Sequence, residues 1–156
     1  MSFKEYNRVD EQVLYENGVY ISVSADSKTQ QKLKQYCNAY GIELTDSLHI
    51  TLIYSQAPLN TQPLLKNYRV NTAVKGFSLF GLKEDVLVIK IDSPKLIGRN
   101  AKLIQENGFI SDWDEYEPHM TLQWGYKGDI SKLPEIDFPI TVELETVENL
   151  DPSWAS

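Results

Sequence analysis

The chain's only two histidines lie in tetrapeptides that nearly repeat each other, His49-Ile50-Thr51-Leu52 and His119-Met120-Thr121-Leu122. In an extended strand, residues i and i+2 share a face. Each tetrapeptide therefore reads as a strand with an imidazole and a hydroxyl on one side. Its other side carries an apolar pair, Ile50 with Leu52 or Met120 with Leu122. A fold containing both must bury the apolar sides and leave the His/Thr sides on an opening. If the two strands face each other, two imidazoles and two hydroxyls surround one space. One imidazole can take a proton from an attacking oxygen while the other returns one to a leaving oxygen. The hydroxyls can hydrogen-bond the non-bridging oxygens of a phosphodiester. A lone His-x-Thr on a strand is usually structural; two matching frames that use every histidine point to catalysis. The pattern leaves open which histidine is the base and which the acid.

Charge and composition narrow the substrate. The formal net charge is −7 and the pI near 4.8, with lysines and arginines scattered. A protein that tracks long nucleic acid usually carries a basic face or stripe. An anionic substrate here must be small and held by local hydrogen bonds, which favours a nucleotide or short oligonucleotide over long nucleic acid. The single cysteine, Cys37, has no internal disulfide partner and reads as core packing on a helix. No zinc-ligand spacing is present, and neither metal nor cofactor is expected. No apolar run approaches a membrane span, and the opening MSFKEYNRVDEQ has no signal-peptide apolar region, so the expected location is cytoplasmic. A chain of 156 residues with 42% hydrophobic content has the length for one domain, read as 1–156.

Taken in order, Gly18 to Ala25 reads as a strand. Asp26-Ser27 then caps an amphipathic helix running to Tyr40, with Gly41 closing it. The first motif strand covers Leu48 to Tyr54, and 56–66 is loop. One or two strands follow over Tyr68 to Leu82, with Gly76 marking a bend or bulge. Asp85 to Asp92 is a buried strand, and Ser93-Pro94 starts a second helix that ends at Gly108. An acidic, aromatic loop leads to the second motif strand. In the last strand, Phe138 to Glu148, alternation sets Ile140, Val142 and Leu144 against Thr141, Glu143 and Glu145. Strand, glycine-closed helix, loop and His-x-Thr-Leu strand thus occur twice, in 18–54 and 85–124. The predicted fold is α+β: two pseudo-symmetric lobes of antiparallel sheet with flanking helices and the active-site groove between them.

The doubled motif and duplicated lobes resemble the two-histidine (2H) phosphoesterase superfamily. The run His49 to Ser55, the segment Glu117-Pro118-His119-Met120-Thr121-Leu122 and a tryptophan near the C-terminus look more specifically like the phage anti-CBASS proteins. That resemblance implies a metal-independent phosphodiesterase acting on cyclic di- and trinucleotide immune signals such as 3′,3′-cGAMP. In it His49 and His119 form the acid/base pair, and Thr51 and Thr121 are the phosphate-oxygen donors. Attack by a ribose 2′-hydroxyl would give a 2′,3′-cyclic phosphate and then a linear 3′-phosphate. Two alternatives are a 2′,3′-cyclic nucleotide or RNA-end phosphodiesterase and a non-cleaving nucleotide sponge. The residues add candidates for base recognition. Tyr20, Tyr54, Tyr116, Trp124 and Trp154 can stack on nucleobases. Strict alternation puts Tyr54 off the His49 face. Trp154 suits a tail closing over a ligand. Glu148 can accept from a base amino group, with a solvated glutamate as the competing reading, and Lys90 has the same two readings toward phosphate.

Overall fold

The computed structural model describes residues 14–111 and 115–151. The elements run β1 (Val19–Ala25), α1 (Ser27–Ala39), β2 (His49–Ser55), β3 (Arg69–Phe80), β4 (Val86–Asp92), α2 (Pro94–Asn107), β5 (His119–Gln123) and β6 (Ile140–Asn149). Both helices start where side-chain chemistry dictates. Asp26 accepts from the Thr29 amide and Ser93 from the Leu96 amide, with Pro94 at the first helical position. Gly108 ends α2 in the left-handed conformation at φ 67°. Gly18 is required sterically: at φ 110°, a Cβ there would lie 2.1 Å from the Ser55 carbonyl oxygen.

The six strands form one closed antiparallel sheet in the order β1-β2-β5-β4-β3-β6. The order contains the predicted repeat. Exchanging β1, β2 and β3 with β4, β5 and β6 leaves every neighbour relation intact, so a pseudo-twofold axis relates the halves. The two lobes meet along two seams, β2 against β5 and β3 against β6. The first is pinned by a single register pair, Ile50 with Met120. The motif strands therefore lie side by side in one sheet, and the groove opens over their shared polar face. Beneath them, Ile21, Ile50, Leu52, Ile89, Met120 and Leu122 are fully buried against Leu33 and Cys37 of α1 and Leu96 and Leu103 of α2. Each such side chain contributes roughly 1.5–3 kcal/mol by leaving water.

Even the irregularities are duplicated. Ser22 pairs with Thr51 and Ile21 with Ile53, which makes Leu52 an extra residue; Val88 pairs with Thr121 and Leu87 with Gln123, which does the same to Leu122. A bulge frees one carbonyl and shifts the strand's alternation. Asn100 Nδ2 donates to the Leu52 carbonyl at 2.6 Å, and the Thr45 amide donates to that of Leu122 at 2.7 Å. A second pair of bulges lies in β3, between Val74 and Gly76, and in β6, between Glu143 and Thr146. The β6 bulge corrects the alternation expected there. Leu144 takes φ 61° and is 50% exposed, while Glu145 turns inward. Its carboxylate accepts from Arg99 Nε at 2.6 Å and Nη2 at 2.8 Å, the Tyr68 hydroxyl at 2.7 Å and the Lys66 amide at 2.8 Å. With the two side chains 6% and 0% exposed, this is a buried ion pair. Burial alone raises the Glu145 carboxyl pKa, but these donors outweigh it and hold the group below its ordinary value.

Candidate active site

Two forces put the four motif residues together. Alternation sends His49 and Thr51, and His119 and Thr121, to one side of β2 and β5, because Ile50, Leu52, Met120 and Leu122 are consumed by the core. The antiparallel Ile50–Met120 pair then sets the diagonal. One step away from it, His49 comes opposite Thr121, and Thr51 opposite His119. All four line one groove of about 550 Å³, together with Tyr20, Ser22 and Ser24 of β1 and Thr146 and Glu148 of β6. A second recess of about 340 Å³ shares Thr51 and His119 and continues over Phe80, Tyr116 and Glu117. Thr51 and His119 thus sit where the two recesses meet, and His49 lines the larger one.

The two imidazoles have different surroundings. His49 presents Nδ1 2.9 Å from the Ser47 hydroxyl and packs edge-on against Tyr20, with ring centroids 5.8 Å apart and planes at 81°. Burial lowers its pKa, and the charge of His119 pushes the same way. Hydrogen bonding to Ser47 and the Glu148 carboxylate oppose that, and the net shift is downward. The downward shift favours the neutral imidazole at His49. His119 lies against Phe80, with centroids 4.8 Å apart, and its Nδ1 is 2.8 Å from the Glu117 carbonyl oxygen. A carbonyl only accepts, so Nδ1 carries a hydrogen and Nε2 is the atom left for the groove. Lys90 Nζ stands 3.9 Å from Glu117 and 5.9 Å from the Phe80 ring centre, on the His119 side.

Thr51 is held at both ends. Its hydroxyl is 2.8 Å from the Tyr20 hydroxyl, and its carbonyl accepts from the Tyr116 hydroxyl at 2.7 Å. Of the residues expected to meet a base, Tyr20, Trp124 and Glu148 line the larger recess and Tyr116 the smaller. Tyr20 and Tyr116 also anchor the motif strand through their hydroxyls. Trp124 is 69% exposed at the groove rim. Trp154 lies outside the described residues. Tyr54, a stacking candidate that strict alternation puts off the His49 face, lines the groove with His49, because the Leu52 bulge flips the strand's phase after Thr51. The adjacent apolar pair Leu52-Ile53, which breaks alternation, was the available signal. Among the described residues, no group of three or more His, Cys, Asp and Glu side chains is placed to hold a metal ion, and no helix is long and apolar enough to cross a membrane.

The duplicated antiparallel sheet is a fold shared with solved phosphoesterases. A crystal structure of Escherichia coli LigT complexed with 3′-AMP superposes with a TM-score of 0.58 at 11% identity, covering 84% of this chain and 86% of that one. A crystal structure of a phosphoesterase gives 0.54 at 10% identity, covering 85% and 87%. No curated protein matches the sequence itself. Residues 17–156 match the family described as anti-CBASS protein Acb1, and the chain belongs to that family.

Proposed function

We propose that the chain is a phosphodiesterase that opens cyclic oligonucleotide immune signals by two-histidine acid/base chemistry. The observation that carries this is the placement of both histidines and both threonines on one wall of one groove. Membership of the anti-CBASS family supports a cyclic nucleotide as substrate, as does the absence of a basic stripe from the sequence.

In this reading His49, neutral at rest, takes the proton from a ribose 2′-hydroxyl as that oxygen attacks the neighbouring phosphorus. His119 protonates the departing 5′-oxygen from Nε2. The products of that step are a free 5′-hydroxyl and a 2′,3′-cyclic phosphate. Water then opens the cyclic phosphate to a 3′-phosphate with the histidine roles reversed. Thr51 and Thr121 donate to the non-bridging oxygens as negative charge grows on them. Bases would lie in the recesses on either side, within reach of Glu148 and Trp124 on one and Tyr116 on the other. Incubation with 3′,3′-cGAMP in EDTA, followed by mass analysis, tests the reading. Linear dinucleotide with a cyclic or 3′-terminal phosphate, absent with His49→Ala, is expected. Intact ligand released from a tight complex after denaturation would instead identify a sponge.

A further inference from the structure

The pseudo-twofold frame shows which contacts the two motifs do not share, and one such contact bears directly on the chemistry. Thr51 and Thr121 are equivalent by register, opposite Ser22 and Val88 respectively. Two residues before Ser22 and Val88 stand Tyr20 of β1 and Val86 of β4, which pair with Glu148 of β6 and Phe80 of β3. Only the tyrosine brings a hydroxyl, and it lies 2.8 Å from Thr51 Oγ1. We propose that Tyr20 is a positioning residue: by donating its hydroxyl proton to Thr51 it turns the Thr51 proton toward the groove, making Thr51 the stronger phosphate-oxygen donor of the pair. This rests on the phosphodiesterase reading above.

A threonine hydroxyl has one proton and two acceptor lone pairs, and it rotates to suit its partners. A proton pointed elsewhere does nothing for a developing oxyanion, since such stabilisation depends on donors fixed in advance. Filling one lone pair of Thr51 from a fixed donor leaves its own proton free for the groove. A hydroxyl that accepts one hydrogen bond also donates the next one better. Tyr20 is suited to donate. Its burial and the Glu148 carboxylate raise its pKa, against the lowering effect of the Thr51 bond, so it stays a protonated phenol. The ring is fixed edge-on against His49. The Thr51 backbone is fixed independently by Tyr116 through its carbonyl. Thr121 has Val86 at the equivalent place, which offers no proton.

Tyr20→Phe keeps the ring and removes only the hydroxyl. With 3′,3′-cGAMP as substrate, kcat is expected to fall about tenfold while KM stays within about twofold, a part of the loss typical for deleting a whole oxyanion donor. The fall should disappear when Tyr20→Phe is placed in a Thr51→Ala background and persist in a Thr121→Ala background. Thr51→Ser, which keeps the hydroxyl, should preserve the dependence on Tyr20. An unchanged or faster Tyr20→Phe enzyme would mean that Thr51 donates to Tyr20, and overturns the proposal. So would a loss confined to KM, or one equally large in the Thr51→Ala background, since either is the signature of a hydroxyl that meets the substrate directly and does not act through Thr51. If Thr51→Ala and Thr121→Ala each leave turnover unchanged, the phosphate-donor reading falls first and takes this proposal with it.

Discussion

The two halves of the molecule share a backbone down to its bulges yet differ in nearly everything set around it. Opposite His49 and Thr51 stand Ser24 and Ser22; opposite His119 and Thr121 stand Lys90 and Val88. Where one half places Glu148 beside Tyr20, the other places Phe80 beside Val86. The helix contacts diverge too. Past its bulge, β6 turns Glu145 into a buried ion pair with Arg99 of α2. At the equivalent point of β3, Phe77 stacks on Tyr36 of α1, with centroids 6.0 Å apart. What stays common is what the proposed event at phosphorus would use, one imidazole and one hydroxyl from each side. What diverges is what an asymmetric substrate and the proposed ordered proton transfer would need.

That contrast can be broken at several strengths. The largest effect is expected where the halves differ most in the core. Arg99→Ala strands a buried carboxylate and should cost about 3–5 kcal/mol in chemical denaturation. Phe77→Ala, at a half-buried stack, should cost less. Acid should expose the same difference. The Glu145 carboxyl is held below its unfolded value, so its contribution is complete above the unfolded pKa and lost as pH falls through the folded one. Glu145→Gln should flatten that part of the stability curve; an unchanged curve would show that other carboxylates dominate it. Next, His49→Ala and His119→Ala should each lower turnover about a hundredfold or more with the fold intact by circular dichroism. The double variant should be little worse than either single one, because the pair acts as a unit. A variant with full activity would remove that histidine from the chemistry. A smaller contrast concerns the threonines: Thr51→Ala should cost more than Thr121→Ala, and the reverse order would point to Thr121 as the principal donor. The smallest expected effect is a shift in the pH profile. The Glu148 carboxylate favours protonated His49, so Glu148→Gln should lower the His49 pKa further. The acid limb of kcat/KM should then move to lower pH, and movement to higher pH would contradict the assignment of His49 as base.

What the sequence made readable was whatever depends on neighbours two to four residues apart. Alternation alone put His49 with Thr51 and His119 with Thr121, and the Asp26, Ser93-Pro94 and Gly108 signals located both helices. The doubling of the motif gave the doubling of the fold. What stayed hidden depended on register between strands. A bulge adds one residue against a partner that only the pairing reveals, so Tyr54 was placed off the groove face. In β6, the same effect left Leu144 assigned to the core in place of Glu145. The Tyr20–Thr51 contact joins side chains 31 residues apart, and no local pattern announces it.

The closed ring of strands carries a consequence for the chain's own direction. The Gly18 carbonyl accepts from the Leu150 amide, and Val19 pairs with Asn149, so the two ends of the barrel lie side by side. The hairpin between Phe80 and Val86 is the rotational counterpart of that junction. One is crossed by a covalent turn and the other by hydrogen bonds alone. Sealing the open junction with a short linker and cutting at the exposed tip near Leu82 would recite the same ring from the other half, with the His119 motif first. Such a permuted chain should fold to the same groove, because the four motif residues flank the axis and are indifferent to which half comes first.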